Sequence, residues 1–222
     1  MTRAHRLLRD NGLSLVLAAL FALTMVGQAE SGLRRYNEER AEHGQPALSM
    51  SGYLATGHFL EATAENWESE FLQLAAYVVL TAILFQKGSS ESKKIGQPEA
   101  VDRRPSARRK NAPWPVRRGG WVLKLYENSL SLTFLLLFLI CIVLHAIGGA
   151  AAHNEEQAAQ GGASVSAWEY ARGAQFWFES LQNWQSEFLS LLAMVVLSIF
   201  LRQRGSPESK PVDAPHSSTG SS

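Results

Sequence analysis

NWESEFL occupies residues 66–72, and NWQSEFL occupies residues 183–189. Each copy stands where a polar stretch passes into an apolar run, 71–85 after the first and 188–201 after the second. These runs hold 15 and 14 residues. A hydrocarbon core of roughly 30 Å takes about 20 helical residues at about 1.5 Å each. The inner ends are fixed by Lys87 and by Arg202 and Arg204, whose long side chains reach toward headgroups. Counting back about 20 residues from those cations arrives at Trp67 and Trp184, and tryptophan favours the membrane interface. The heptad therefore marks the outer boundary of a membrane span. Glu70 and Glu187 fall about one helical turn inside it.

The recurrence extends well beyond seven residues. Displaced by 117 positions, residues 11–93 align with 128–210 without a gap, and 35 of the 83 pairs are identical. Unrelated chains of ordinary composition would share roughly 6%. Matched blocks include Asn11-x-Leu13-Ser14-Leu15 with Asn128-x-Leu130-Ser131-Leu132, and Asn37-Glu38-Glu39 with Asn154-Glu155-Glu156. Tyr53 pairs with Tyr170, and Gly88-Ser89-x-Glu91-Ser92-Lys93 with Gly205-Ser206-x-Glu208-Ser209-Lys210. This is the pattern of a duplicated two-span unit.

Each unit opens with a further apolar run, 13–27 and 130–149. The expected fold class is all-α and integral to the membrane: four transmembrane helices as two tandem parallel hairpin repeats. The expected segments are a cytoplasmic N-terminus at 1–10, repeat 1 at 11–93, a basic linker at 94–124, repeat 2 at 128–210 and a tail at 211–222. Of 21 Lys and Arg, 17 lie in the N-terminus, the 87–124 connection and the tail. The loops between paired spans hold only Arg34, Arg35, Arg40 and Arg172, and with the heptads they carry 13 of the 20 acids. The positive-inside bias then places both termini and the linker in the cytoplasm. The N-terminus, with Arg3, Arg6 and Arg9 ahead of an apolar run and Gly27-Gln28-Ala29, also has the outline of a signal peptide. Its counterpart in the second unit is an internal span, which argues against cleavage.

The loops between paired spans are too long for simple turns. Tyr53, Leu60, Ala64, Trp67 and Phe71 recur at helical spacing, as do Tyr170, Trp177, Leu181, Trp184 and Phe188. They predict amphipathic helices at the outer face, lying on the outer leaflet or packed over the bundle, with the aromatics as core or interface residues and Glu61, Glu65 and Glu68 on other faces. The Asn-Glu-Glu blocks read as surface loop, or as partners of Arg34 and Arg35.

Chemistry-bearing patterns are sparse. There is no G-x-S-x-G, H-E-x-x-H, P-loop or dinucleotide fingerprint. His58 and Glu61 are three apart, but Gln175 and Phe178 replace them in the second copy, so no metal or other cofactor is assigned. Cys141, the only cysteine, lies in an apolar run and reads as a small buried residue. The candidate site residues are Glu70 and Glu187, with Asn66, Asn183, Trp67 and Trp184 beside them in the heptads. Gln28 and His145, equivalent positions late in the first and third spans, join them. Two readings of the glutamates stay open: a proton or cation site, or caps of the spans through the helix dipole. Gln28 and His145 are expected to hydrogen-bond within the bundle.

The linker joins Arg103-Arg104-Pro105-Ser106-Ala107-Arg108-Arg109-Lys110 to Arg117-Arg118. Its Pro, Ser and charge predict disorder, as does the composition of the tail. Adsorption to anionic lipid accounts for the basic residues better than nucleic acid does.

With the repeated N-W-x-S-E-F-L, the Asn-x-Leu-Ser-Leu span starts and the G-S-x-E-S-K exits in view, the chain resembles a family of uncharacterised bacterial multi-pass membrane proteins. That family is a domain-of-unknown-function family, and the resemblance runs over about residues 6–210. It implies the bacterial inner membrane and brings no activity with it. The function expected is that of a non-enzymatic envelope or partner-binding component. A small homo-oligomeric transporter or channel using Glu70 and Glu187 is the first alternative, and a membrane-embedded enzyme the second. The lipid bilayer, a membrane-protein partner or further copies of the chain are the expected associations.

Overall fold

A computed structural model describes residues 3–220, and their regular structure is helical throughout. The helices are α1 (Arg3–Glu42), α2 (Met50–Tyr53), α3 (Gly57–Ile83), α4 (Trp114–Arg118), α5 (Gly120–Glu127), α6 (Ser129–Gln160), α7 (Ala167–Ala171) and α8 (Ala174–Phe200). One 3-10 turn, Ala100–Asp102, lies in the linker. Three helical stretches are long and apolar enough to cross a membrane: His5–Glu42, Ser129–Ala158 and Ala174–Phe200. Their apolar side chains point outward to an extent water would not tolerate; Leu13 is 77% exposed and Leu23 68%. α3 matches α8 at 27 residues, but its glutamates, Gln73 and Tyr77 dilute the apolar run.

Asparagine sets where the first long apolar helix of each repeated segment begins. Asn11 interrupts α1 with φ −127° and ψ 15°, and its side chain donates to the Leu7 carbonyl at 3.1 Å. Asn128 separates α5 from α6 with φ −113° and ψ 9°, donating to the Lys124 carbonyl at 2.9 Å. The amide replaces a backbone bond that the break forfeits. This is the physical content of the repeated Asn-x-Leu-Ser-Leu.

The chain divides into two compact units. The first comprises residues up to Thr63 together with Ala146–Ala171. Here α3 and α6 approach backbone to backbone through glycine. A Cβ on Gly57 would lie 2.6 Å from the Ala151 Cβ, and one on Gly148 would lie 2.5 Å from the Glu61 nitrogen. Small residues at a helix contact are the usual device where lipid supplies no hydrophobic drive. Buried Tyr53 packs on Gly32, and buried Tyr170 packs on Gly149. The Asn-Glu-Glu blocks are more than loop surface. Asn37 donates to the Leu48 carbonyl at 3.0 Å and accepts from its N–H at 2.8 Å. Asn154 does the same with Val165, at 2.8 Å and 2.7 Å. Each asparagine thus pins the chain returning toward the next helix. Arg40 reaches Glu155 at 3.0 Å.

The second unit comprises Ala64–His145 with Arg172–Ser222. The polar residues of α3 are paired inside it. Gln73 donates to the Glu187 carbonyl at 2.9 Å and the Ser190 hydroxyl at 2.8 Å, and Tyr77 donates to Glu91 at 2.6 Å. The G-S-x-E-S-K motifs close the helices. Gly88 and Gly205 take positive φ of 90° and 84°, which a glycine adopts freely. The Ser92 hydroxyl accepts the Gln86 N–H, and the Ser209 hydroxyl accepts the Gln203 N–H, both at 2.9 Å. Lys93 and Lys210 then fold back onto the carbonyls of Ala82 (2.9 Å) and Ile199 (3.3 Å). A cation at a helix C-terminus satisfies orphan carbonyls and opposes the dipole.

The linker expected to be disordered carries the 3-10 turn, α4 and part of α5, with Lys93 bridging to Asp102 at 2.7 Å. The tail is tied back through Lys210, whose side chain is 2% exposed.

Candidate functional site

In the second unit α3, α6 and α8 bring ionisable side chains together. Glu68 and His145 have no exposed surface. The His145 Nδ1 stands 3.0 Å from a Glu68 carboxylate oxygen, and its Nε2 stands 3.4 Å from Glu179. The second oxygen of Glu68 accepts the Trp184 indole N–H at 2.9 Å. The second oxygen of Glu179 accepts from the Gln175 amide at 2.5 Å. Phe176 closes over the imidazole, with ring centroids 4.5 Å apart. Glu65, nearby on α3, accepts from the Asn183 amide.

Proton counting constrains this cluster. A neutral imidazole carries one N–H and one lone pair. Both ring nitrogens face carboxylate oxygens, so with two ionised carboxylates the lone pair would oppose an acceptor. Both contacts are hydrogen bonds only when one more proton is present, on the ring or on a carboxyl. The other oxygen of each carboxylate already accepts a donor, from Trp184 and from Gln175, an arrangement that suits two carboxylates flanking an imidazolium. Breaking such a buried pair by removing one partner costs about 3–5 kcal/mol.

Ser180 adds an independent feature. It is fully buried, and its hydroxyl has no hydrogen-bond partner among the described residues. It lies one helical turn from Phe176 and one from Trp184, hence on the α8 face that meets His145 and Glu68. Buried polar groups in folded proteins are nearly always hydrogen-bonded, so this unpaired hydroxyl sets the cluster apart from an ordinary packed core.

The sequence candidates fare unequally. Trp184 belongs to the cluster, through Glu68, and Asn183 holds Glu65. His145 is its centre. Gln28 lies in the other unit and donates to Thr63 at 3.3 Å. Glu70 is exposed, and Glu187 is half-buried and contributes its backbone carbonyl to Gln73. Asn66 accepts the Ser69 hydroxyl on its carbonyl at 2.8 Å, and Trp67 is 37% exposed. The aromatic stripe divides: Tyr53, Ala64 and Tyr170 are buried, whereas Trp67, Trp177, Leu181 and Phe188 face out, and the polar Glu68, Ser69 and Ser180 are buried beside them. Hydrocarbon solvates apolar faces and cannot solvate polar ones, so the amphipathic helix turns its polar side to the protein.

The signal for the missed residues was departure from the repeat. Glu68 is the one heptad position that differs between copies, opposite Gln185. Glu179 likewise stands opposite Ala62, as His145, already singled out, stands opposite Gln28.

The family model described as Domain of unknown function (DUF6766) matches residues 4–221, and the chain belongs to that family. No curated protein and no solved structure matches it.

Proposed function

We propose that this is a non-enzymatic, multi-pass inner-membrane protein of bacterial origin that takes up and releases protons at the Glu68–His145–Glu179 cluster, acting as a small proton-coupled carrier. The observation that carries the reading is the buried imidazole held between two carboxylates within helices of membrane-spanning length. Ionisable groups so fully buried in a helical protein are costly to keep, and in membrane proteins they recur in proton relays and ion pathways. On this reading the proton-active residues are Glu68 and His145 rather than the boundary pair Glu70 and Glu187.

The accompanying topology has four crossings, both termini and the linker in the cytoplasm, and the heptads at the outer boundary. α3 as a fourth span is supported by its length, about 40 Å at about 1.5 Å per residue, and by the internal pairing of Gln73 and Tyr77. Four helices enclose little volume, so a continuous path is built by several copies around an axis. Envelope association through a protein partner is the second reading; the exposed Trp177 and Phe178 favour it.

The test is reconstitution of the full chain into liposomes loaded with a pH-sensitive dye. The wild type is expected to collapse an imposed pH gradient faster than protein-free vesicles. Glu68→Gln should slow this at least tenfold, whereas Glu70→Gln/Glu187→Gln should leave it unchanged. Wild-type rates no higher than those of empty vesicles would sink the carrier reading.

A further inference from the structure

A cavity of about 650 Å³ opens in the second unit between the chain leaving α3 and the C-terminal tail. Lys87, Lys94, Ser217, Ser218 and Thr219 line it, with Ile95 at its apolar side. No Asp or Glu is among its described lining residues. Neither lysine forms an ion pair among the described residues; the acid that touches this segment, Glu99, accepts the Lys94 backbone N–H at 2.8 Å. The lining thus includes two lysines without an ion pair among the described residues and three hydroxyl-bearing residues.

We infer that this pocket binds a phosphate ester, its phosphate between Lys87 and Lys94 and its organic part against Ile95. Two like charges held on one low-dielectric concavity focus a positive potential and draw in an anion. Lysine binds phosphate as a point charge, and hydroxyl donors complete the shell. The volume falls within the usual range for small-ligand sites, about 300–1,000 Å³, and exceeds what a bare phosphate fills. The ligand therefore bears an organic group.

The wall is built in advance. The buried Lys210 ammonium donates to the carbonyls of Gly88 (2.5 Å), His216 (3.0 Å) and Ser218 (2.9 Å). The Gly88 N–H donates to the Thr219 hydroxyl, and the Gly220 N–H to the Ser89 carbonyl, both at 2.9 Å. Since the Thr219 oxygen is accepting, its own O–H is left to donate to a ligand. The site needs no ordering of the tail when the ligand arrives, and this favours affinity. Two sources supply this chemistry: the headgroup of an anionic phospholipid and a soluble phosphate ester.

Titration calorimetry on the full-length protein in neutral detergent separates them, with dihexanoyl phosphatidylglycerol, dihexanoyl phosphatidylcholine and glycerol 3-phosphate as probes. Saturable binding of the phosphatidylglycerol, stronger than that of the phosphatidylcholine, is expected, weakening at least tenfold in Lys87→Gln/Lys94→Gln. Equal binding of glycerol 3-phosphate assigns the site to soluble esters; its failure alongside lipid binding assigns it to headgroups. Neither lysine forms an ion pair among the described residues, so the variant is expected to keep its fold, and an unchanged melting temperature checks this. The inference is overturned if no probe binds, or if the double variant binds as the wild type does. An equal loss in Arg103→Gln/Arg104→Gln, outside the pocket, would also overturn it, since general charge attraction would then explain the binding.

Discussion

His58 stands at the start of α3, its Nδ1 3.2 Å from the Tyr53 hydroxyl and its ring 5.2 Å from that of Tyr36. Burial pushes its pKa below the ordinary value of 6.5; Glu39 and Glu155 pull it upward and Arg35 pushes it down, and burial prevails. The folded chain therefore prefers the neutral ring. Below about pH 6.5 the unfolded chain binds a proton that the folded chain refuses, so stability falls as pH drops through that region. The ring is only part-buried, which keeps the effect small. His58→Gln, the residue type found at the equivalent position 175, should flatten the pH dependence between about pH 7 and 5. Melting temperatures of the two proteins in detergent across that range would show the same slope if the ring were not involved.

At the scale of elements, contacts recur at positions 117 residues apart: the asparagine breaks before the long apolar helices, tyrosine on glycine, asparagine on the returning chain, and lysine on the exit carbonyls. The α3–α6 approach in the first unit is the exception. Gly57 is opposite Ala174 in the repeat, and Gly148 is opposite Ser31. A Cβ at either glycine meets backbone, which cannot swing aside as a flexible side chain would. Gly57→Val and Gly148→Val should each lower stability by about 1–3 kcal/mol, the usual cost of overpacking. Gly12→Val, where a Cβ would find open space, is the control. Unfolding of all three at the wild-type denaturant midpoint would show that the helices do not meet there.

For the whole molecule, the charge distribution makes a statement about sides that labelling can read. In a Cys141→Ser background, which removes the single buried thiol, single cysteines are placed at Gln45, Pro105, Gln160 and Asp213. An impermeant maleimide added to intact cells should modify positions 45 and 160 and leave 105 and 213 untouched until the membrane is broken. Labelling of 105 or 213 in intact cells would refute the four-crossing arrangement, since the linker and tail would then lie outside.

Periodicity and composition were enough to establish a helical membrane protein, because runs such as 130–149 cannot be solvated by water whatever they pack against. The motif positions were equally legible, since Asn11, Gly88 and Lys93 act on backbone a few residues away. The sequence also singled out His145, but it assigned the boundary acids Glu70 and Glu187 where the structure buries Glu68. Which acid of a helix is exposed and which is buried depends on how that helix is rotated against its neighbours, and NWESEFL offers two glutamates only two residues apart. Partners distant in the chain decide it: Trp184 and His145 reach Glu68 from α8 and α6, and Gln175 fixes Glu179. A buried carboxylate persists only where such donors converge, and that convergence exists only in the tertiary structure.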